Sequence, residues 1–324
     1  MLRRATLFVL SDVRSGSTLL DQCLGGHPDV ISLGEVHWLA AYVRQDRKLY
    51  DPVHPLVCTC GKPVGECPFW MHVAKVLGRP LDSLQLRPAF LTLRSDHGLR
   101  TRAKRLLRRF VETVPGAYKY GLVQWLCAAP RLARDSVELL EAIAAASGRP
   151  YAVDSSKSPF RFRAIYDHDP DRSRAIVLAR DYRAVVHSKM KRGLTLEAAA
   201  IGWRRRMMEI ATLTRDLPES HVHRLKYESL CEDPRREIGR ICAFLGLQFS
   251  ENMLQRPSDD IHHIGGSPSK FDTSRAAITL DSSYKTVFDP PTLVRLCELV
   301  GDEADRWGYA DPIPRSPQDM IRRQ

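Results

Sequence analysis

Ala5-Thr6-Leu7-Phe8-Val9-Leu10-Ser11-Asp12-Val13-Arg14-Ser15-Gly16-Ser17-Thr18-Leu19-Leu20-Asp21-Gln22-Cys23-Leu24-Gly25-Gly26 decides how this chain folds. An apolar, β-rich run from Ala5 to Leu10 passes into a loop of small residues. Leu19, Leu20, Cys23 and Leu24 then recur at helical spacing until Gly25-Gly26 stops them. The pattern is strand, tight loop, helix, helix stop. Such a loop turns several backbone N–H groups and the positive end of a helix toward one point, a nest suited to a phosphate-like dianion. Ser15, Ser17 and Thr18 add hydroxyl donors, and Arg14 adds a planar fork of charged ones. The triphosphate-binding form of this device, G-x-x-x-x-G-K-[ST], carries a Gly-Lys pair that Ser11 to Thr18 lacks. The segment is built for an anion and not for Mg-ATP. Taken alone, its residues also suit a Ser/Gly turn that does no more than cap a helix.

Two later segments change the balance. Ala175-Ile176-Val177-Leu178-Ala179-Arg180-Asp181-Tyr182-Arg183-Ala184-Val185-Val186-His187-Ser188 reads as a strand ending at Arg180 and a helix carrying Ser188. In an open parallel sheet ligands sit beyond the carboxyl ends of the strands, so both residues should face the crevice of the first loop. Val222 to Leu225 reads as another strand, followed by Tyr227-Glu228-Ser229-Leu230, Asp233-Pro234 and a helical repeat (Ile238, Ile241, Cys242, Leu245) closed by Gly246.

Together these segments resemble the sulfotransferases that use 3′-phosphoadenosine 5′-phosphosulfate (PAPS). In that family R-S-G-[ST]-T binds the 5′-phosphosulfate, and here Arg14, Ser15, Gly16, Ser17 and Thr18 stand in those places. R-D-P-R-A-V-x-x-S binds the 3′-phosphate through its Arg and Ser, matched by Arg180 and Ser188, with Tyr182 where Pro is usual. Y-E-x-L-x-x-x-P with F-L-G-[LI] lies near the adenine, matched by Tyr227 to Pro234 and Phe244 to Leu247. Trp38 to Ala146 carries little that matches. Arg14 through Glu35 is most similar to the tyrosylprotein and carbohydrate branches, whose catalytic Glu falls on Glu35. The resemblance implies an α/β, P-loop-NTPase-like three-layer fold with a central parallel sheet.

Sulfonate transfer to a hydroxyl needs a base, and Glu35 is the candidate, with His37 as runner-up. It needs fixed donors where charge builds on the leaving oxygen, a role for Arg14 and the N–H groups of Ser15 to Thr18. It needs the reactants held in line, and no metal is required. Asp154-Ser155-Ser156-Lys157 follows a short strand and opens at the same edge, so Ser156 and Lys157 are further candidates; helix capping by Asp154 or Ser155 reads the stretch equally well. His262-His263-Ile264-Gly265-Gly266-Ser267-Pro268-Ser269-Lys270 suits a flexible loop over the nucleotide, with Gly266 as a cofactor-binding candidate and Lys270 as a candidate to reach the 3′-phosphate. A plain surface loop fits nearly as well, and the two histidines look metal-like but have no Cys nearby in sequence.

Eight cysteines in 324 residues do not make a disulfide scaffold. Cys58, Cys60 and Cys67 cluster near His54 and His72, and a zinc knot, a local disulfide and free thiols all remain open. The motif spread argues for one domain over residues 1–324. Its sheet should use strands near 5–10, 151–153, 174–179 and 221–225, with a mostly helical, acceptor-side insertion at about 38–146. Arg134 to Ala146 reads as a helix closed by Gly148.

The net charge of +11 partly serves a polyanionic cofactor. The basic run from Arg100 to Phe110 suits an anionic acceptor or a membrane surface, or simply a solvated face. No nucleic-acid module is recognisable. Met1-Leu2-Arg3-Arg4 leads straight into the first strand with no membrane-length apolar stretch, so a soluble, cytoplasmic, bacterial protein is expected. The acceptor (sugar, phenol, lipid or peptide) and the oligomeric state stay open. The alternative is an ATP-dependent kinase-like or non-catalytic nucleotide- or anion-binding protein.

Overall fold

A computed structural model of the chain describes residues 4–46, 55–87, 129–255, 261–271 and 278–309. Its sheet has five strands in the order β2-β3-β1-β4-β5, all parallel. They are β1 Ala5–Leu10, β2 Val30–Ser32, β3 Tyr151–Asp154, β4 Ser173–Ala179 and β5 Val222–Lys226. Four fall on the expected apolar runs. The edge strand β2 enlarges that frame: the insertion beginning at Trp38 lies between β2 and β3, and β1 is joined to β2 by a helix of its own.

The helices are α1 Ser17–Gly25, α2 Leu39–Val43, α3 Pro68–Leu77, α4 Ala129–Ser147, α5 Pro159–His168, α6 Tyr182–Met190 and α7 Leu196–Thr214. After these come α8 Tyr227–Glu232, α9 Pro234–Leu245, α10 Pro290–Val300 and α11 Glu303–Arg306. Successive strand residues feed two separate cores. Leu7, Val9, Val153, Ile176 and Leu178 meet α1 and α9 on one face. Phe8, Leu10, Ala152, Ala175 and Val177 meet α4 to α7 on the other. Burial on both faces explains why the strands read as continuous apolar runs and why the sheet can be parallel throughout. The result is the expected three-layer α/β arrangement.

Local signals fix the joints. Gly26 closes α1 with its N–H on the Cys23 carbonyl at 3.1 Å. At α5 the N-cap is Ser158, whose Oγ accepts the Arg161 N–H at 3.3 Å, with Pro159 at the first helical position. Asp154 instead forms a buried ion pair with Arg161 at 3.0 Å. Tyr182 opens α6 behind the Asp181 cap and is fully buried, its ring centroid 5.6 Å from that of Trp203. That packing accommodates the residue where Pro was expected. α4 begins at Ala129, earlier than Arg134.

The strand order also locates the crevice. From β1 the chain moves toward the β2 edge through α1, and from β4 it moves toward β5 through α6, on the opposite face. The loops after β1 and β4 therefore part at a topological switch point, where ligands of open α/β sheets bind. The basic run 100–110 lies outside the described residues. Among the described residues no helix is long and apolar enough to cross a membrane.

Candidate active site

Arg14 and Gly16 take left-handed backbone conformations, with φ of +71° and +87°. Glycine is required at 16 for a second reason, since a Cβ there would overlap the ring of Tyr227. No side chain caps α1, and its first bond runs from the Leu20 N–H to the Gly16 carbonyl at 3.1 Å. The preceding N–H groups thus have no partner within the helix and lie at its positive end.

Arg14 reaches from this loop to α6. Its Nε donates to Ser188 Oγ at 2.9 Å and its Nη1 to Ser267 Oγ at 3.3 Å. Arg180 leaves the end of β4 and donates through Nη1 to the Arg14 carbonyl at 3.0 Å. Its Nη2 donates to the Asp281 carbonyl at 3.1 Å and carboxylate at 3.3 Å, and its guanidinium lies 4.3 Å over the Tyr227 ring. Burial, with repulsion from Arg192 and Arg180, pulls the Arg14 guanidinium below its usual range. Ser15 Oγ and Arg180 Nε are buried with no hydrogen-bond partner among the described residues. Concentrated positive charge and unspent donors are what a bound polyanion would satisfy.

Glu35 forms a second centre. Lys157 Nζ donates to its Oε1 at 2.6 Å, and Trp38 Nε1 to its Oε2 at 3.2 Å. Its N–H donates to the Ile264 carbonyl at 2.6 Å. A Cβ at Gly265 would stand 2.8 Å from Glu35 Cβ, so glycine lets the two segments touch. Four consecutive residues join the centres: Ile264 and Gly265 lie on Glu35, Gly266 follows, and the Ser267 N–H donates to Thr18 Oγ1 at 3.3 Å.

His37 lies beside Glu35 but is turned inward. Its Nδ1 is buried without a partner among the described residues, and its N–H donates to Ser156 Oγ at 3.2 Å. Burial, then the charges of Arg87, Arg161 and Lys157, hold its imidazole well below the usual pKa. Lys270 stands on the Glu35 side, its ammonium 5.9 Å over the Tyr42 ring and its Nζ buried without a hydrogen bond among the described residues. Burial lowers it to about 8. Beneath the site, Asp21 on α1 accepts from Ser32 Oγ at 2.5 Å, Ser155 Oγ at 2.7 Å and the Gly34 N–H at 3.0 Å. That knot binds α1 to the ends of β2 and β3.

A family model described as the sulfotransferase family matches residues 6–251. The chain belongs to the sulfotransferase family. It is 30% identical over 90 residues to a Caenorhabditis briggsae protein described as a candidate protein-tyrosine sulfotransferase, a match covering 25% of this chain and 32% of that protein. The chain therefore matches about a third of that relative's length. Two solved structures share the fold. The sulfotransferase domain of the Synechococcus PCC 7002 olefin synthase has a TM-score of 0.52 at 22% identity, covering 96% of this chain and 98% of that one. The sulfotransferase domain from the curacin biosynthetic pathway has 0.56 at 20% identity, covering 95% and 99%.

In this member of the family, Arg14 to Thr18, Arg180, Ser188, Tyr227 and Gly266 come together around the first loop, and Glu35, His37, Lys157 and Lys270 come together beside it. Sequence reasoning missed Ser267 as a partner of Arg14, Asp281 as a partner of Arg180, and Arg87, whose guanidinium lies 3.6 Å over the Trp38 ring. Ser267 sits in the Gly/Ser-rich stretch already singled out, whereas Asp281 and Arg87 carry no local signal; their partners Arg180 and Trp38 are 101 and 49 residues away in sequence. The isolation expected of His262 and His263 is corrected. His262 Nδ1 lies 3.3 Å from Cys67 Sγ, and His263 hydrogen-bonds Ser32 within 3.9 Å of Asp21. The partners are 195 or more residues away in sequence, beyond the reach of spacing arguments.

Proposed function

We propose that this enzyme transfers a sulfonate group from PAPS to an acceptor hydroxyl, with Glu35 as general base. One observation carries the reading: an uncapped helix N-terminus ringed by Arg14, Arg180 and Ser188 shares a four-residue segment with a fixed carboxylate. The donor set suits a nucleotide phosphorylated at two positions. The N–H groups of Ser17 and Thr18 with Arg14 suit the 5′ side. Arg180, Ser188 and the orphaned Arg180 Nε suit the 3′ side, and the Tyr227 ring between them suits the adenosine.

Bound there, PAPS supplies the sulfonate and departs as adenosine 3′,5′-bisphosphate. Glu35 takes the proton of the acceptor hydroxyl as that oxygen bonds to sulfur. Lys157 and Trp38 hold the two carboxylate oxygens in one orientation. Arg14 and the α1 N–H groups receive the charge left on the phosphate oxygen when its bond to sulfur breaks. His37 suits the base role less, because its Nδ1 is enclosed. Trp38 and Arg87 border Glu35 from the insertion and Tyr42 lies under Lys270, which supports that segment as the acceptor side. The single-domain organisation and a cytoplasmic location accord with this reading.

The test uses sulfur-labelled PAPS with a panel of sugar, phenol, lipid and peptide-tyrosine acceptors. Label should move to one acceptor class, and Glu35→Gln should lower the rate about 10²–10⁴-fold while adenosine 3′,5′-bisphosphate binds as before. Equal transfer by Glu35→Gln would reject it as the base.

A further inference from the structure

A separate cluster lies on the far side of the 261–271 segment. Cys58, Cys60, Cys67 and His262 each present one ligand atom, and all four atoms lie within 4.8 Å of one another. Cys58 Sγ and Cys67 Sγ are 3.7 Å apart, and His262 Nδ1 is 3.6 Å from the first and 3.3 Å from the second. With Zn–S near 2.3 Å and Zn–N near 2.0–2.1 Å, a tetrahedral site has edges of about 3.8 Å between sulfurs and about 3.6 Å between sulfur and nitrogen. The three edges among Cys58, Cys67 and His262 are within about 0.3 Å of those values, and Cys60 Sγ lies within 4.8 Å of all three atoms. A disulfide needs about 2.05 Å between sulfurs, far from the separation here.

The surroundings hold the ligands in place. A tight turn follows Cys58: the Gly61 N–H donates to the Cys58 carbonyl at 2.9 Å, and the Cys58 N–H to the Lys62 carbonyl at 2.9 Å. Phe69 stacks on the His262 ring at 4.8 Å with 6° between planes, and Trp70 Nε1 donates to the His262 carbonyl at 3.2 Å. Thr59 Oγ1 donates to the Ile261 carbonyl and accepts the His263 N–H at 3.0 Å. Cys58 and Cys67 are buried, whereas Cys60 is exposed and closes the outer side.

We infer that Cys58, Cys60, Cys67 and His262 form a structural zinc site that clips the insertion to the segment touching Glu35, Thr18 and Arg14. Three thiolates, one neutral imidazole and closed tetrahedral geometry are the donor set of structural rather than catalytic zinc. The three thiol protons pass to solvent as the metal binds. The site takes no part in sulfonate transfer. It acts by holding His262, and with it Ile264 to Ser267, in register against the crevice. The inference rests on the cluster's geometry and stands whether or not PAPS is the donor.

The test is elemental analysis of the full chain, expressed with zinc and purified without chelator. About one zinc per chain is expected. Replacement by cobalt should give the intense visible bands of a tetrahedral site with thiolate charge transfer. Cys60→Ser, whose thiol is exposed, should keep the fold by circular dichroism yet weaken zinc affinity by at least about tenfold, the size of loss that even an outer-shell partner causes. His262→Gln should do the same, and Cys231→Ala should change neither metal content nor spectrum. A folded chain without zinc that develops no cobalt bands would overturn the inference. So would unchanged affinity in Cys60→Ser, or a Cys58–Cys67 disulfide found by non-reducing mass spectrometry of fresh protein.

Discussion

Lys157 Nζ stands 2.6 Å from Glu35 Oε1, with its backbone at φ +57° where few non-glycine residues go. Both side chains are largely buried, at 10% and 17% exposure. The pair holds the proposed base still, and on the proposed reading the ammonium beside it would also stabilise charge on the sulfonate. Lys157→Met should therefore lower kcat by about 10–10³-fold with little change in adenosine 3′,5′-bisphosphate affinity, the pattern of a group that acts in the transition state. Steady-state kinetics beside calorimetry would check it. A change confined to KM would assign Lys157 to substrate binding alone.

Gly16 and Tyr227 make a second constraint. Gly16→Ala adds both a strained positive φ and an overlap with the Tyr227 ring, so a loss of about 2 kcal/mol or more is expected. Combining Gly16→Ala with Tyr227→Ala should recover the overlap part but not the strain. The loss in the double variant should then be smaller than the sum of the two single losses. Denaturant unfolding of the three variants gives the coupling, and strict additivity would show that the ring does not confine Gly16.

Asp21 gives the fold a defined pH response. Burial pushes its carboxyl up to about 6, against hydrogen bonds from Ser32 and Ser155 that pull the other way. The folded-state value lies above the unfolded one of 3.8. The favourable contribution is thus full below the unfolded value and is lost as pH rises through the folded one. Between pH 4 and pH 7, Asp21→Asn should gain Tm relative to the parent by about 2 °C or more. A Tm difference that is flat across this range would contradict the raised value.

Asp12 and Lys189 form a buried ion pair behind the first loop, each side chain 6% exposed. Asp12→Ala leaves the ammonium stranded and should cost about 3–5 kcal/mol, whereas Asp12→Leu with Lys189→Met should cost much less. Urea titrations of both variants check the ordering. If the double replacement costs as much as the single one, packing rather than charge dominates there.

The crevice was legible because its parts are local. Arg14 to Thr18, Arg180 and Tyr227 each follow a strand end and Ser188 lies on the helix after Arg180, so period and turn chemistry point them to one sheet edge, while the resemblance to the sulfotransferases supplied their roles. Strand β2, Val30–Ser32, lies outside the expected sheet frame although the apolar step before Glu35 reads as strand-like; its place at the edge beside β3 is set by tertiary pairing. Asp154 read as a cap but serves as a buried partner of Arg161, a choice made by tertiary burial that no local pattern records. Lys270 stands near Glu35 and Tyr42, on a segment joined to Gly34 by the Ile264 bridge, a placement that no local pattern records. The cysteine cluster was visible without its fourth member: His54 and His72 were near in sequence, and His262 is near in space.

The most direct test of the donor site is calorimetric titration with adenosine 3′,5′-bisphosphate, 5′-AMP and Mg-ATP. The 3′-phosphate should tighten binding by at least about tenfold over 5′-AMP, and Arg180→Ala should erase that advantage, as expected for loss of a charge-assisted phosphate contact. Equal affinity for the two adenosine nucleotides, or magnesium-dependent preference for ATP, would contradict a PAPS site and favour an ATP-using or non-catalytic anion-binding protein.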